Sequence, residues 1–414
     1  MLFLSGLQIH PPFSGGTYRS FALANALQRH GVGVSVYSLV GRKGDYLARR
    51  PSSVQVWPDG VEEYVDRGPL GFLAQYASYQ LGLPPLWITA YLRAAARRPG
   101  ELLLHARLRR QLAGCDVVVA DFPFLYPAFG VPSARGRLRV VSTHNVEHRV
   151  YDDRGGWKNR WTREVVRRIE IAAAADSDLL VTCCTEDEAF FEATAAVRQA
   201  VLVPNGIDLR RFLDLAAQRE STRKKLGIAN DVRVFLFTAS KWGPNREAFD
   251  YLFEFARRNR SLLVTQGIHI LVVGNVVRSP LLLPGFTATG KVDVSDPFFA
   301  AADAALNPMC IGAGTNVKMC EFIASRLPIL TTAFGARGLR FEDGRSAFIF
   351  EREGLADALS TVRRLFDEDP GRLRAVAAEA YAHNESSIDM DQCVRPLVRA
   401  LADGGDRRRR LMVV

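Results

Sequence analysis

The chain has 414 residues, 48% hydrophobic and 24% charged, ordinary globular material long enough for two domains. Its formal charge of +10 suits an anionic partner. Zinc-finger spacing, an RNA-binding sheet signature and a basic region joined to heptads are all missing, which argues against nucleic acid as that partner. The six cysteines Cys115, Cys183, Cys184, Cys310, Cys320 and Cys393 form neither paired C-x-x-C ligand sets nor the dense framework of a secreted domain, so a reduced, cytoplasmic protein is expected.

The opening MLFLSGLQIH lacks a cationic lead and meets PPFSGG too early for a signal peptide or membrane span; it reads as a first strand. Gly15 and Gly16 then lead into a helix over Tyr18 to Arg29, with Phe21, Ala24 and Leu27 on one face and His30-Gly31 as its stop. Further strands are expected at Gly33 to Leu39, Asp116 to Ala120, Leu138 to Thr143, Leu179 to Cys183 and Ala200 to Val203. On such a strand Cys183 and Cys184 would point to opposite faces. The section from Gly41 to Leu112, with Pro-interrupted helical patterns and an aromatic-rich stretch from Tyr76 to Tyr91, exceeds what a connection needs and reads as extra helices or a functional insertion.

After VPNGIDLRRF the pattern restarts. RVFLFTAS reads as a strand, Asn245 to Arg257 as a helix and HILVVGN as a strand. Short strands follow at Phe286 to Thr289 and Ala304 to Asn307, then a helix from Val317 to Ser325 and the strand PILTTA. SAFIF precedes helices over Gly354 to Phe366 and Gly371 to His383. Short apolar runs alternating with amphipathic stretches indicate parallel α/β construction. The restart near Asn205-Gly206 predicts two Rossmann-like domains, 1–204 and 205–384, the remainder being a terminal helix over about 385–405 and a basic tail, 406–414. Basic clusters at Arg42 to Arg50, Arg93 to Arg98, Arg154 to Arg168 and Arg407 to Arg410 read as solvated surface.

Two motifs can carry chemistry. In PPFSGGTYRS, Gly15 and Gly16 permit close backbone approach, and the following helix N-terminus attracts phosphate; a Gly pair at such a turn is equally a folding device. In LNPMCIGAGTNVKMCEF, a turn containing Gly312 and Gly314 enters a helix on which Lys318 and Glu321 share a face. Backbone donors and a cation there suit a diphosphate, and the carboxylate suits ribose hydroxyls; an i,i+3 surface ion pair is the plain alternative.

GAGTNVKMCE followed by FIASRLPILTT resembles the donor-site signature of retaining family 4 glycosyltransferases of the GT-B fold, as do VPNGID, the SGG after the first strand and THNVE. These elements occur in family order from Ser14 to about Gly338. The resemblance implies two Rossmann-like domains facing each other across a cleft, with the terminal helix returning to the first. It implies Glu321 on the nucleotide ribose, Lys318 neutralising the diphosphate, and backbone contacts from the Gly312 turn through Gly314, Thr315, Asn316 and Val317. Gly15 and Gly16 would stand beside the phosphates or acceptor. His144 would face donor sugar and acceptor, stabilising the transition state without ligating a metal.

The chain departs from the pattern twice. Ala313 stands where the family commonly has a first glutamate seven residues before the second, removing a direct carboxylate contact to the donor sugar. In FTASKWGPNREAF, Ala239 and Ser240 replace a Gly-Arg pair, leaving Lys241 and Arg246 as substitute phosphate cations or, for Lys241, a solvent-facing loop charge.

The resemblance further implies a transferase of class EC 2.4 acting with retention and without metal or cofactor, the nucleotide-diphosphate sugar being a co-substrate. Its acceptor would be a glycan, a lipid-linked saccharide or a small molecule. RGGWKNRWTREVVRRI and QLGLPPLWITAYLRAAARR resemble peripheral membrane helices, and also core helices with a wet Arg face, which are the commoner kind. The expected setting is cytoplasmic, with an anionic membrane surface as a further partner. A sugar-nucleotide 2-epimerase and a catalytically silent GT-B subunit are the competing readings.

Overall fold

The computed structural model describes residues 1–97, 99–151, 157–312 and 316–411, with side chains described for these except at 150, 151, 157, 158 and 405–411. Internal contacts divide it into two units, Met1–Pro204 with Met390–Val414, and Asn205–Asp389.

The described strands of the first unit are β1 (Leu2–Ser5), β2 (Ser35–Ser38), β3 (Ser53–Val56), β4 (Glu62–Val65), β5 (Val117–Asp121), β6 (Leu138–Ser142), β7 (Leu179–Thr182) and β8 (Ala200–Leu202). They form one sheet in the order β3-β4-β2-β1-β5-β6-β7-β8, parallel throughout except that β3 runs antiparallel to β4. Strands such as VVVAD and LLVT are near-continuous apolar runs because helices cover both faces. The helices are α1 (Gly15–Arg29), α2 (Lys43–Leu47), α3 (Pro69–Gln80), α4 (Leu86–Ala95), α5 (Ala106–Gly114), α6 (Trp157–Asp176) and α7 (Thr185–Thr194).

The second unit repeats the plan with β9 (Arg233–Thr238), β10 (Ile268–Val273), β11 (Leu281–Leu283), β12 (Phe286–Ala288), β13 (Ala304–Asn307), β14 (Ile329–Thr331) and β15 (Phe348–Ile349), ordered β11-β12-β10-β9-β13-β14-β15. Here β11 is antiparallel to its neighbour. Its helices are α8 (Arg219–Leu226), α9 (Gly243–Arg258), α10 (Arg260–Thr265), α11 (Asp296–Ala301), α12 (Val317–Ala324), α13 (Leu355–Glu368) and α14 (Pro370–Ile388). The chain then returns to the first unit as α15 (Met390–Cys393) and α16 (Arg395–Leu411). Met390, Val394 and Leu397 join the core formed by Phe3, Leu23 and Val36, and Arg29 pairs with Asp391 at 2.9 Å.

Three expectations change. The 41–112 section holds an edge hairpin, β3 and β4, as well as helices. The helix after β1 begins at Gly15 rather than Tyr18, because Ser14 caps it: its side chain accepts from Thr17 N while Thr17 Oγ1 accepts from Ser14 N. Finally, β7 ends at Thr182 and Cys184 is the N-cap of α7. The two sulfurs and an Asp187 carboxylate oxygen therefore lie within 4.8 Å of one another, where a continued strand would have separated them.

Candidate functional site

The first unit gathers its polar groups at the C-terminal ends of its parallel strands, where open α/β sheets bind ligands. β5 ends in Asp121, 1% exposed, and THNVE follows β6. His144 Nε2 lies 2.9 Å from Asp121 Oδ1, and Ser20 Oγ donates to Asp121 Oδ2 at 2.7 Å. That carboxylate makes Nε2 the protonated nitrogen. His144 Nδ1 is buried without a hydrogen-bond partner. It would stand 3.4 Å from a Cβ placed on Gly16, in van der Waals contact, so the bare nitrogen faces the first turn of α1. Phe122 stacks on the imidazole at 3.9 Å and 7°, from a backbone held at φ +90°. Such a conformation costs a non-glycine residue roughly 1–3 kcal/mol; Phe122 N donating to Ser142 O helps hold it.

Behind His144, Glu147 N donates to Glu170 Oε2 at 2.8 Å and His148 Nδ1 bonds Glu170 Oε1, which ties the THNVE loop to α6. Burial, with Asp187's charge adding, pushes the Glu147 carboxyl up to about 8. Burial, with Glu147's charge adding, pushes Glu170 up to about 8. Both bind their protons more tightly folded than unfolded. Their contribution to stability is therefore complete below the ordinary value of 4.5 and lost as pH rises through 8. Urea titrations should give lower stability at pH 8 than at pH 5, with a slope up to about 1.4 kcal/mol per pH unit for each proton. Glu147→Gln should flatten it.

In the second unit, α12 follows β13 and a turn whose Gly312 has φ +144°. The conformation favours glycine, and a Cβ there would also stand 3.1 Å from the Trp242 ring and 3.3 Å from Arg337 Nη2, side-chain tips that would have to shift. Gly314 and Thr315, with Ala313, lie outside the described residues. Asn316 is the N-cap of α12 and Val317 its first residue. Lys318 is 8% exposed, with Nζ over the Phe237 ring at 4.2 Å and donating to Asn245 Oδ1 at 2.7 Å. Burial draws this ammonium down to about 7, against the opposing effect of Glu321. Asn245 Nδ2 in turn donates to Ser240 Oγ at 3.0 Å, which joins Ser240, in the loop after β9, to Lys318 through one side chain.

Glu321 is also 8% exposed, and burial raises its carboxyl above the usual range against the pull of Arg211. Arg211 Nη1 donates to Glu321 Oε1 at 3.3 Å and its Nη2 to Asp296. Lys318 and Glu321 are thus not a surface ion pair. Each is buried and each has another partner. Lys241 is exposed, its backbone N bonded to Asn275 Oδ1 at 2.8 Å, and Arg246 pairs with Asp250. Gly312, Asn316, Val317, Lys318 and Glu321 therefore share one turn and helix, with Ser240 and Lys241 on the neighbouring β9-to-α9 loop. Gly15, Gly16 and His144 belong to the other unit.

Sequence reasoning overlooked Asp121, Arg211, Asn245 and Arg337. Asn245 lies in the WGPN string and Arg211 three residues past VPNGID, but only the fold reveals their partners. Arg337 is half-buried, which lowers its pKa, and sits where the Gly312 turn passes.

A family model described as Glycosyltransferase Family 4 matches residues 13–211, and one described as Glycosyl transferases group 1 matches residues 232–367. No curated protein matches the chain by sequence. Among solved structures, Anabaena HepE in complex with UDP-glucose is similar with a TM-score of 0.64 at 16% identity, covering 97% of this chain and 99% of that one. Sucrose-phosphate synthase from Thermosynechococcus elongatus gives 0.66 at 15% identity, covering 97% and 99%. The α,α-trehalose 6-phosphate synthase of Burkholderia multivorans gives 0.62 at 13%, covering 99% and 98%. At such identities the likeness is one of fold. With each unit matched by a glycosyltransferase model and nearly the whole length following the GT-B fold, the protein belongs to the group 1, family 4-like glycosyltransferases.

Proposed function

We propose that the protein transfers a sugar from a nucleotide-diphosphate sugar, with retention and without a metal or other cofactor, to a glycan, a lipid-linked saccharide or a small-molecule acceptor. The observation that carries this reading is the buried pair on α12. An ammonium already drawn down to about 7 gains most from a diphosphate, and a carboxylate one turn further suits the hydroxyls of the adjoining ribose. The complex of HepE with UDP-glucose supports a nucleotide-sugar as donor.

In this reading Lys318 meets the diphosphate, with Lys241 nearby and backbone contacts from Gly312, Gly314, Thr315, Asn316 and Val317. Glu321 takes the ribose. His144 acts at the donor sugar and acceptor, with Gly15 and Gly16 leaving room for them. The bond from the anomeric carbon to the β-phosphate oxygen breaks and a bond from that carbon to the acceptor oxygen forms on the same face. The acceptor proton passes to the departing phosphate. Lys318 and the N–H groups at the start of α12 offset the charge developing on that phosphate, a task that needs no metal ion. Turnover should therefore persist in EDTA.

The test is incubation with UDP-, GDP-, TDP- and ADP-sugars, with and without acceptor preparations. Diphosphate release that depends on acceptor is expected; isomerisation of the nucleotide-sugar without acceptor, or binding without turnover, would overturn the transferase reading. Glu321→Ala should weaken nucleotide binding roughly 10- to 100-fold, the value of a hydrogen bond to a charged group. Unchanged affinity would remove the donor assignment.

A further inference from the structure

Helix α3 is inverted with respect to the usual amphipathic arrangement. Its inner side carries Gly71, packed near Trp87 and the Leu39 carbonyl, and Gln75, whose Oε1 accepts from Trp87 Nε1 at 2.9 Å. Its outer side carries Leu70, Leu73 and Tyr76, exposed by 82%, 58% and 40%. No residue of α3 is buried. By contrast α4, from the segment whose sequence resembles a peripheral membrane helix, turns Ile88, Leu92 and Ala95 into the core. The apolar residues of that stretch thus serve the core, and the exposed ones lie on α3.

The exposed charges on α2 and in the turn after it are basic, and the acid just before α3, Asp66, is half-buried and accepts from Tyr37 Oη and Gly68 N. Residues 67–100 contain no Asp or Glu. On α2, which is joined to α3 by Tyr46 stacking on Phe72 at 4.0 Å, the single acid Asp45 is buried and engaged by Arg67 and Arg50. Lys43 is exposed with its Nζ 5.3 Å from the Tyr76 ring, and Arg49 is exposed in the turn beyond. We infer that α3 is an interfacial element that lies on an anionic bilayer, its leucines and tyrosine entering the acyl boundary while Lys43 and Arg49 meet lipid phosphates. Charge decides the occupant: a second copy of the chain would bring like cations together, whereas an anionic headgroup layer complements them.

The test is sedimentation of the full chain with vesicles of phosphatidylglycerol and phosphatidylcholine, and with phosphatidylcholine alone. Binding to the anionic vesicles only, weakened by salt but not abolished, is expected. Leu70→Glu/Leu73→Glu, on exposed positions that the fold does not need, should keep its Tm and weaken vesicle binding by on the order of tenfold per leucine. Unchanged vesicle binding by that variant, or no binding by the native chain at low salt, overturns the inference. So does a dimer, seen by sedimentation velocity, that the same double substitution dissociates.

Discussion

Replacing Lys318 by Met should lower kcat by about 10²–10³-fold, the usual cost of removing one preorganised donor from a site of developing charge. Thermal stability should not fall in step. The ammonium is buried with Asn245 Oδ1 as its oxygen partner, so an apolar chain of similar volume removes a desolvation penalty while losing one hydrogen bond. Activity lost with the fold intact separates a ligand-facing cation from a structural one. If Met at this position lowered Tm strongly and left turnover intact, Lys318 would be holding the β9-to-α9 loop rather than a substrate.

The same lysine sets a pH dependence whose sign is fixed. Its pKa in the free protein is about 7, and a bound diphosphate, being anionic, raises it. Binding therefore takes up a proton whenever the lysine begins neutral. Affinity is greatest below pH 7 and falls as pH rises through that value, by about tenfold per unit once well above it. A nucleotide-sugar is the suitable probe, because its diphosphate keeps its charge over this range. Calorimetry at pH 8 in buffers of different ionisation heat should show proton uptake that Lys318→Met abolishes.

The α/β alternation and the restart after VPNGID were legible because strands buried on both faces leave short apolar runs between amphipathic stretches. The edge hairpin was not. Ser53–Val56 is only four residues long, its alternating Val54 and Val56 being exposed, too short a pattern to stand out, and β4 holds Glu63, a charge in mid-strand. That charge is fully buried because five donors converge on it: Ile9 N, His10 N, Ser38 Oγ, Gln55 Nε2 and Trp57 Nε1. Most of these are distant in sequence, and no local pattern announces them. The site divides likewise. Lys318 and Glu321 could be singled out because one helix presents both, whereas Arg211 reaches Glu321 across 110 positions and Asp121 reaches His144 from a different strand.

That last contact gives the second large effect. Asp121 touches no substrate in the proposed reaction; it is a positioning residue acting through His144. Its carboxylate accepts from both Nε2 of the imidazole and Ser20 Oγ, which fixes the ring plane and leaves Nδ1 as a bare acceptor. Asp121→Asn keeps the shape but offers an amide. With the amide nitrogen towards the ring, the imidazole must carry its proton on Nδ1, and the nitrogen facing α1 becomes a donor. We expect kcat to fall about 10²-fold, close to the loss in His144→Ala, while nucleotide affinity, assigned to Lys318 and Glu321, stays unchanged in both variants. Nitrogen-15 shifts of the His144 ring should report an Nε2-protonated imidazole in the native protein and the other tautomer in Asp121→Asn. Full activity with the tautomer reversed would remove His144 from the chemistry. A loss of activity with the tautomer unchanged would mean that Asp121 serves the fold through Ser20 instead.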